Sequence, residues 1–200
     1  MQKNFSDTEI FLHRNVFLCS MGLFVASLAS GSNGNCYYIA NETEAVLIDA
    51  GILCKELETR MRRLGLEMKK VKAVFISHEH TDHISGLKVI SKKHNLPVYI
   101  TPRTLQNARS GIDRQCIKLF APGEVVTIGD LSITSFSKSH DAAEPCSFTI
   151  AGNGVTVGVF TDIGNVCSQV IESFGGCHAA FLEANYDEEM LEKGSYPFFL

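Results

Sequence analysis

The stretch Ser77-His-Glu-His-Thr-Asp-His83 places three histidines and one aspartate within six residues, in a chain that has only seven histidines. Side chains two apart on an extended strand end project to the same side, so we expect His78, His80 and Asp82 to converge. His83 is expected to face the same point from the start of the next helix. Imidazole and carboxylate groups are ligands for zinc, manganese or iron. The stretch therefore predicts a metal site.

Other acidic and imidazole groups also follow predicted strands. Asp49 ends the run AVLID, His140 follows a predicted strand over 131–136, and Asp162 follows one over 155–160. Taken singly, an aspartate after a strand is typical of a turn or a helix cap. Because a catalytic centre is expected where several strand ends meet, the repeated placement predicts that all three join the metal site. The remaining histidines have no such context and are interpreted as surface or packing residues: His13, His94 and His178.

The composition is that of a globular chain. It has 200 residues, 45% of them apolar and 20% charged, with only 5 prolines, which excludes a disordered or low-complexity chain. The net charge of −4 gives no global attraction to polyanions, so a nucleic acid has to be held by a local basic patch or by metal ions. Seven cysteines without a C-x-x-C pair favour reduced thiols and a cytoplasmic protein. The apolar run Val16–Ser30 is too short to span a bilayer, so no membrane association is expected.

The predicted elements form one domain of two packed sheets with helices outside, since no Pro/Gly/Ser linker divides the chain. We expect this domain to start at Met21, behind an N-terminal extension over residues 1–20. The apolar patterns predict strands over 23–28, 36–40, 45–49, 71–76, 97–100, 125–128, 131–136, 147–150, 155–160 and 179–182. They predict helices over 53–64, 84–94, 101–108, 164–174 and 187–193.

The pattern His78-x-His80-x-Asp82-His83, with Asp49 before it and His140 and Asp162 after it, resembles the metallo-β-lactamase superfamily. That resemblance implies an α+β fold built as an αββα four-layer sandwich. Further segments resemble the bacterial YycJ/WalJ-type branch, which is associated with exonuclease activity, and extend the resemblance over 21–200: LASGSNGN (28–35), VLIDAG (46–51), SHDAAEP (139–145), TDIG (161–164) and LEANYDEEMLEKGSYP (182–197).

The resemblance also implies a ligand set for two divalent ions, zinc or manganese. In that set His78, His80 and His140 bind the first ion, Asp82 and His83 bind the second, and Asp162 bridges both. Asp49 orients the ligands without binding an ion itself. Asp82 and Asp162 are the catalytic carboxylates. Ions about 3.5–4 Å apart would share a hydroxide that attacks a phosphodiester in line. The implied function is a metal-dependent hydrolase, and more narrowly a DNA exonuclease.

Two features differ from the family pattern. The superfamily's final histidine ligand has no counterpart before Leu200, and Tyr186 stands where the branch commonly has histidine. The apolar end Tyr196–Leu200 indicates that the core continues beyond this chain. Two alternatives therefore stay open: a hydrolase of thioesters or lactams, and a truncated single-metal protein with impaired activity.

Two surface segments are further candidates. The stretch 60–72 holds six basic residues and one acidic residue, which fits either a DNA-facing surface or a solvated helix end. The segment Ser30–Asn35 could offer backbone N–H groups to a phosphate, but an ordinary hairpin turn is favoured.

If residues 1–20 are an extension outside the core, deleting them leaves solubility and metal content unchanged. Expression yield of soluble protein and metal analysis of the shortened chain check this. A collapse of either quantity would show that the extension is structural.

Overall fold

The computed structural model of the chain describes residues 16–18, 22–108 and 111–183. Three predictions fall outside these residues: the start of the domain at Met21, the helix over 187–193 and the apolar end Tyr196–Leu200. Tyr186 and His13 also lie outside them.

Within the residues that the structure describes, the first sheet has seven strands, and their spatial order follows the chain order from β1 to β7. The pairs from β1 to β4 are antiparallel, whereas β4, β5, β6 and β7 run parallel to one another. The strands are β1 (Val16–Leu18), β2 (Phe24–Ala29), β3 (Cys36–Ala40), β4 (Ala45–Ile48), β5 (Val71–Phe75), β6 (Val98–Ile100) and β7 (Ile117–Leu119). The sequence patterns did not indicate β1 or β7, each of which is only three residues long.

The second sheet has five strands in the order β12-β11-β10-β9-β8. Its pairs are antiparallel except for β11 and β12, which are parallel. Between β10 and β11, Asn153 and Gly154 both have positive φ, as a two-residue hairpin turn requires. The strands are β8 (Val125–Ile128), β9 (Leu131–Ser137), β10 (Cys146–Gly152), β11 (Val155–Phe160) and β12 (Ala179–Leu182).

The helices are short and lie close to where the sequence predicts them: α1 (Cys54–Arg63), α2 (Thr81–Ile84), α3 (Leu87–His94), α4 (Pro102–Asn107) and α5 (Ser168–Gly175). Thr101 caps α4 as predicted, because its side chain accepts a hydrogen bond from the Thr104 N–H. The predicted helix over 84–94 is wrong at its start: the chain turns at Ser85 and Gly86, so the metal motif has a separate helix, α2. The predicted helix over 164–174 begins only at Ser168. Among the described residues, no helix is long and apolar enough to cross a bilayer.

Three apolar clusters define four layers. Val46 and Phe75 of the first sheet pack against Ile133 and Phe148 of the second sheet. The opposite face of the first sheet packs against α1 and α3, and α5 covers part of the outer face of the second sheet through Val170. These layers are helix, sheet, sheet and helix, which confirms the predicted αββα sandwich.

Close backbone packing at Gly51 fixes the loop after β4 against the metal motif. A Cβ atom at Gly51 would lie 1.6 Å from the carbonyl oxygen of Asp82 and 2.6 Å from the backbone nitrogen of Asn35. The Gly51 N–H donates to the Asn35 carbonyl at 2.9 Å. Only glycine permits this approach, since both neighbouring atoms belong to backbone that cannot rotate away.

We expect Gly51→Ala to destabilise the fold by about 3 kcal/mol or more, at the upper end for overpacked sites. Urea unfolding measures the loss. Gly175→Ala is the matched control, because a Cβ atom there meets no atom within 4 Å, and its free energy of unfolding should change by less than about 0.5 kcal/mol. Equal stability of the two variants would contradict the packing at Gly51.

Candidate metal centre

The carboxyl ends of four strands meet at one edge of the two packed sheets. Asp49 follows β4, the motif 77–83 follows β5, His140 follows β9 and Asp162 follows β11. Because β4 and β5 are parallel neighbours, their ends lie side by side at this edge. The predicted residues from both halves of the chain are therefore brought together.

Three imidazole rings form the first ligand group. The Nδ1 atom of His80 lies 3.1 Å from Nε2 of His78 and 3.3 Å from Nε2 of His140. These nitrogens face one another within the 4.8 Å span expected of atoms that hold one cation. Burial and the neighbouring charges of His83 and Lys138 lower the pKa of His78, and burial followed by Lys138 lowers that of His140. Both rings are therefore kept neutral, the form in which imidazole binds metal.

The second ligand group centres on His83, which lies in α2 and is fully buried. Its Nε2 atom lies 2.8 Å from Oδ2 of Asp162 and 3.3 Å from Oδ2 of Asp82. The same Asp162 oxygen is 3.8 Å from Nε2 of His78, so Asp162 lies between the two groups. His78, His83 and Asp162 could together hold a cation.

Asp49 is buried behind these ligands and makes three contacts. Its Oδ1 atom accepts a hydrogen bond from the Ser77 N–H at 2.8 Å, and its Oδ2 atom accepts one from the Ser77 hydroxyl at 2.8 Å. Oδ2 also lies 2.7 Å from Nδ1 of His83. This contact places the proton of His83 on Nδ1 and turns Nε2 toward Asp162, as outer carboxylates do for metal-binding histidines.

Two aspartates of the site have left-handed backbone conformations. The φ angle is 61° at Asp49 and 48° at Asp162, directly after β4 and β11. Aspartate adopts this conformation more readily than most residues, but it still costs free energy that the surrounding structure has to supply. In both places it bends the chain out of the strand and directs the carboxylate into the site.

The described residues alone leave an excess of negative charge around His83. Burial opposes protonation of His83, but the charge of Asp49 and contacts with Asp162, Asp49 and Asp82 raise its pKa to about 11. Burial opposes ionisation of Asp162, yet interactions with His83 and Lys138 hold its pKa at about 2. His83 and Lys138 thus provide positive charge beside the carboxylates, and a bound metal ion would take over the role of His83.

The donor set fits divalent metal ions on two observations. Among the described residues, Oδ2 of Asp162 is buried without a hydrogen bond of normal geometry, although it lies close to His83. His78, His80 and His140 bring three ring nitrogens together, an arrangement that a cation would satisfy. All the donors are imidazole nitrogens and carboxylate oxygens, which suit zinc and manganese.

Some residues of the site were not predicted from the sequence. Asn35 donates to Oδ2 of Asp82 and lies 3.1 Å from Nε2 of His83. Buried Lys138 donates to the carbonyl oxygen of Thr161, and the Asp162 N–H donates to Glu183 at 3.2 Å. Burial and the charge of Asp162 raise the pKa of Glu183. Only placement after a strand could have indicated Lys138 and Glu183, and many polar residues share that signal.

The segment 30–35 forms an internally bonded turn. The Gly34 N–H donates to the Gly31 carbonyl, the Gly31 N–H to the Asn35 side chain and the Asn35 N–H to the Asp82 carbonyl. These donors are engaged within the protein and are not directed at a phosphate. The hairpin-turn interpretation is therefore favoured.

Part of the basic stretch 60–72 lies far from the metal centre. Lys69, Lys70 and Lys72 lie at or near the start of β5, whereas the histidines follow its end, and five strand residues span roughly 16 Å. Lys69 is also paired with Glu67 at 2.6 Å. A solvated face explains these lysines better than contact with a phosphate at the site.

Comparisons with known proteins support this fold. Residues 44–196 match the family described as Beta-lactamase superfamily domain. Among solved structures, the MIM-2 metallo-β-lactamase has a TM-score of 0.61 at 14% identity, over 84% of this chain and 75% of that one. The SMB-1 metallo-β-lactamase, in a complex with mercaptoacetic acid, has a TM-score of 0.59 at 15% identity, over 79% and 76%. The fold and site define a protein of the metallo-β-lactamase fold.

Two relatives that match most of this chain narrow the class of protein within this fold. The chain is 37% identical over 180 residues to exodeoxyribonuclease YycJ of Bacillus anthracis, which covers 88% of this chain and 68% of that protein. It is 30% identical over 184 residues to exodeoxyribonuclease WalJ of Streptococcus pneumoniae, over 90% and 68%. The chain belongs to the beta-lactamase superfamily, within the group that includes YycJ and WalJ, and is a hydrolase.

We expect Asp49→Asn to weaken zinc binding by about 10- to 100-fold, the usual effect of losing an outer carboxylate. The amide can still accept from Ser77, but it holds His83 less strongly. Zinc titration calorimetry gives the change in affinity. Asp130→Asn is the control because it changes an exposed aspartate at the start of β9, opposite the end that bears His140. Equal affinities of the two variants would contradict the role of Asp49.

Proposed function

We propose that this protein is a metal-dependent hydrolase that cleaves phosphodiester bonds, and specifically a DNA exonuclease. One observation carries the proposal: the cluster of three imidazoles and the group around Nε2 of His83 lie side by side, with the Asp162 carboxylate between them. The similarity to relatives named exodeoxyribonuclease supports DNA as the substrate.

In the proposed site, His78, His80 and His140 hold one ion and His83 and Asp82 hold the other, with Asp162 between them. This division follows the two groups of contacts: the three-imidazole cluster and the carboxylates around Nε2 of His83. Divalent ions held there would activate water and neutralise the charge that develops on a phosphate.

The residues around the ligands hold them in place. Asp49 fixes the orientation of His83, and the Ser77 hydroxyl lies 2.9 Å from Nδ1 of His78. Lys138 holds the carbonyl oxygen of Thr161 and so restrains the backbone next to Asp162. Such fixed geometry matters because a catalytic centre loses rate steeply when its groups move by 1 Å.

The site is also open to a substrate. The side chains of Asp82 and Asp162 are 28% and 21% exposed, whereas His78 and His83 are fully buried. The carboxylates, together with the partly exposed rings of His80 and His140, are therefore the part of the site that faces solvent. In a chain with a net charge of −4, DNA phosphates have no general attraction to the surface, so ions held by these residues would provide the positive charge.

The proposal extends to the organisation and location of the protein. We propose that residues 21–200 form the hydrolase domain and that residues 1–20 extend from it, with Val16–Leu18 pairing to the edge of the first sheet as β1. The six cysteines among the described residues are all free thiols, which supports a reducing, cytoplasmic environment.

The test is shortening of end-labelled DNA in the presence of manganese or zinc. We expect the chain to release nucleotides from the end, and His80→Ala and Asp162→Ala to reduce the rate by at least about 10²-fold, since a catalytic metal contributes several kcal/mol. Labels at the 5′ and 3′ ends give the polarity. Removal of metal with a chelator should stop the reaction, and added manganese should restore it.

Asp130→Asn serves again as the control, and its rate should equal that of the unchanged chain. A fully metal-loaded chain without activity on any nucleic acid would overturn the proposal. Turnover of a thioester or lactam without DNA affinity at low salt would assign the site to small molecules instead. A content of one ion per chain would contradict the two-ion arrangement.

A further inference from the structure

A second group of metal-ligand side chains lies outside the site described above, between α1 and α3. Cys54 is the first residue of α1, Glu58 lies one turn later on the same face, and His94 ends α3. The Sγ atom of Cys54 is 3.6 Å from Oε1 of Glu58 and 3.8 Å from Nε2 of His94. The Glu58 and His94 atoms are 2.9 Å apart. Three different ligand types thus face one another across two helices that are remote in sequence.

These separations match a tetrahedral zinc site. Zinc bonds of about 2.3 Å to sulfur and 2.0–2.1 Å to nitrogen or oxygen place neighbouring ligand atoms roughly 3.3–3.6 Å apart. The two sulfur distances are within about 0.3 Å of that range, and only the contact between Glu58 and His94 is shorter, at hydrogen-bond length. A small movement of one exposed side chain would bring the third distance into range.

We propose that Cys54, Glu58 and His94 form a second metal site, which binds zinc or a similar thiophilic divalent ion and clamps α1 to α3. A thiolate, an imidazole and a carboxylate suit zinc, and a sulfur ligand disfavours magnesium and calcium. The site is separate from the central one, because it lies on the outer helices that pack on the first sheet.

The surroundings leave room for an ion to enter. Cys54 is buried, while the side chains of Glu58 and His94 are 23% and 20% exposed, so the fourth position faces solvent. Lys93 is paired with Glu58 at 2.6 Å, but its side chain is 53% exposed and can turn away. An exposed ion pair of this kind contributes little to stability, and that contribution is small beside the free energy of a zinc–thiolate site.

The position of the cluster gives the ion a structural consequence. Leu57 of α1 and Ile90 of α3 belong to the same apolar core, and α3 follows directly on α2, which carries His83. An ion that ties the start of α1 to the end of α3 would stabilise the folded state, by an amount that rises with the logarithm of the ion concentration divided by its dissociation constant.

The test uses cobalt, because a cobalt–thiolate bond produces a charge-transfer absorption that nitrogen and oxygen ligands do not. The central site as described contains no cysteine among its ligands, so this absorption reports only the second site. We expect the full chain to develop the band on titration with Co²⁺, to saturate at one thiolate per chain, and to lose the band when zinc is added.

Variants identify the ligands. Cys54→Ser should abolish the band, and Glu58→Gln and His94→Ala should weaken cobalt binding by at least about 10-fold. Cys116→Ser is the control, since Cys116 is also a free thiol and is more exposed than Cys54. This variant should keep the full band. His80→Ala should also keep the band, which separates this proposal from the function of the central site.

Zinc gives an independent readout. It should raise the thermal unfolding temperature of His80→Ala. This rise should be lost in the double variant His80→Ala/Cys54→Ser. Because both variants have the same impaired central site, the difference between them reports the second site alone. Absence of the cobalt band in the full chain, or its persistence in Cys54→Ser, would overturn the proposal. If Cys54→Ser fails to fold, Glu58→Gln decides, because it preserves the side-chain shape and its hydrogen-bonding capacity.

Discussion

The buried carboxylate of Asp49 is the contact on which the site depends. One side chain binds the backbone and hydroxyl of Ser77 and the ring of His83, so it joins the end of β4 to the end of β5 and to α2. A buried carboxylate is costly unless its oxygens are hydrogen-bonded, and here both are. The same contacts that offset this cost also fix where the motif leaves the sheet and which nitrogen of His83 faces the centre.

The candidate metal centre lies where the backbone of this chain is closely packed. Gly51 allows the loop after β4 to touch the carbonyl of Asp82, and Asn35 completes the contact from a third strand connection. These are backbone contacts, which vary little with side-chain motion. The candidate ligand Asp82 therefore lies on a closely packed segment, as a site that positions a phosphate requires.

The sequence predicted the architecture and the residues that the structure brings together at the candidate site, because both produce strong local signals. The crowding of histidines in 78–83 and the short apolar runs around them are visible without a structure, and the four-layer fold and the gathering at one sheet edge agree with them. The small features were not predicted. Strands β1 and β7 have three residues each, too few for alternation to appear, and unlike the equally short β6 they are not followed by a predicted helix start. The break between α2 and α3 depends on a close approach of Gly86 to the backbone of Ile52.

The cluster of Cys54, Glu58 and His94 shows the limit of local signals most clearly. In the sequence, Cys54 reads as a small apolar residue at a helix start, and His94 as a polar residue at a helix end 40 positions later. Helix periodicity does place Cys54 and Glu58 on one face, but nothing in the sequence indicates that α3 ends beside them. That contact arises from how both helices pack on the first sheet through Leu57 and Ile90. Ligand groups within one segment can be found from the sequence, whereas groups assembled by packing require the fold.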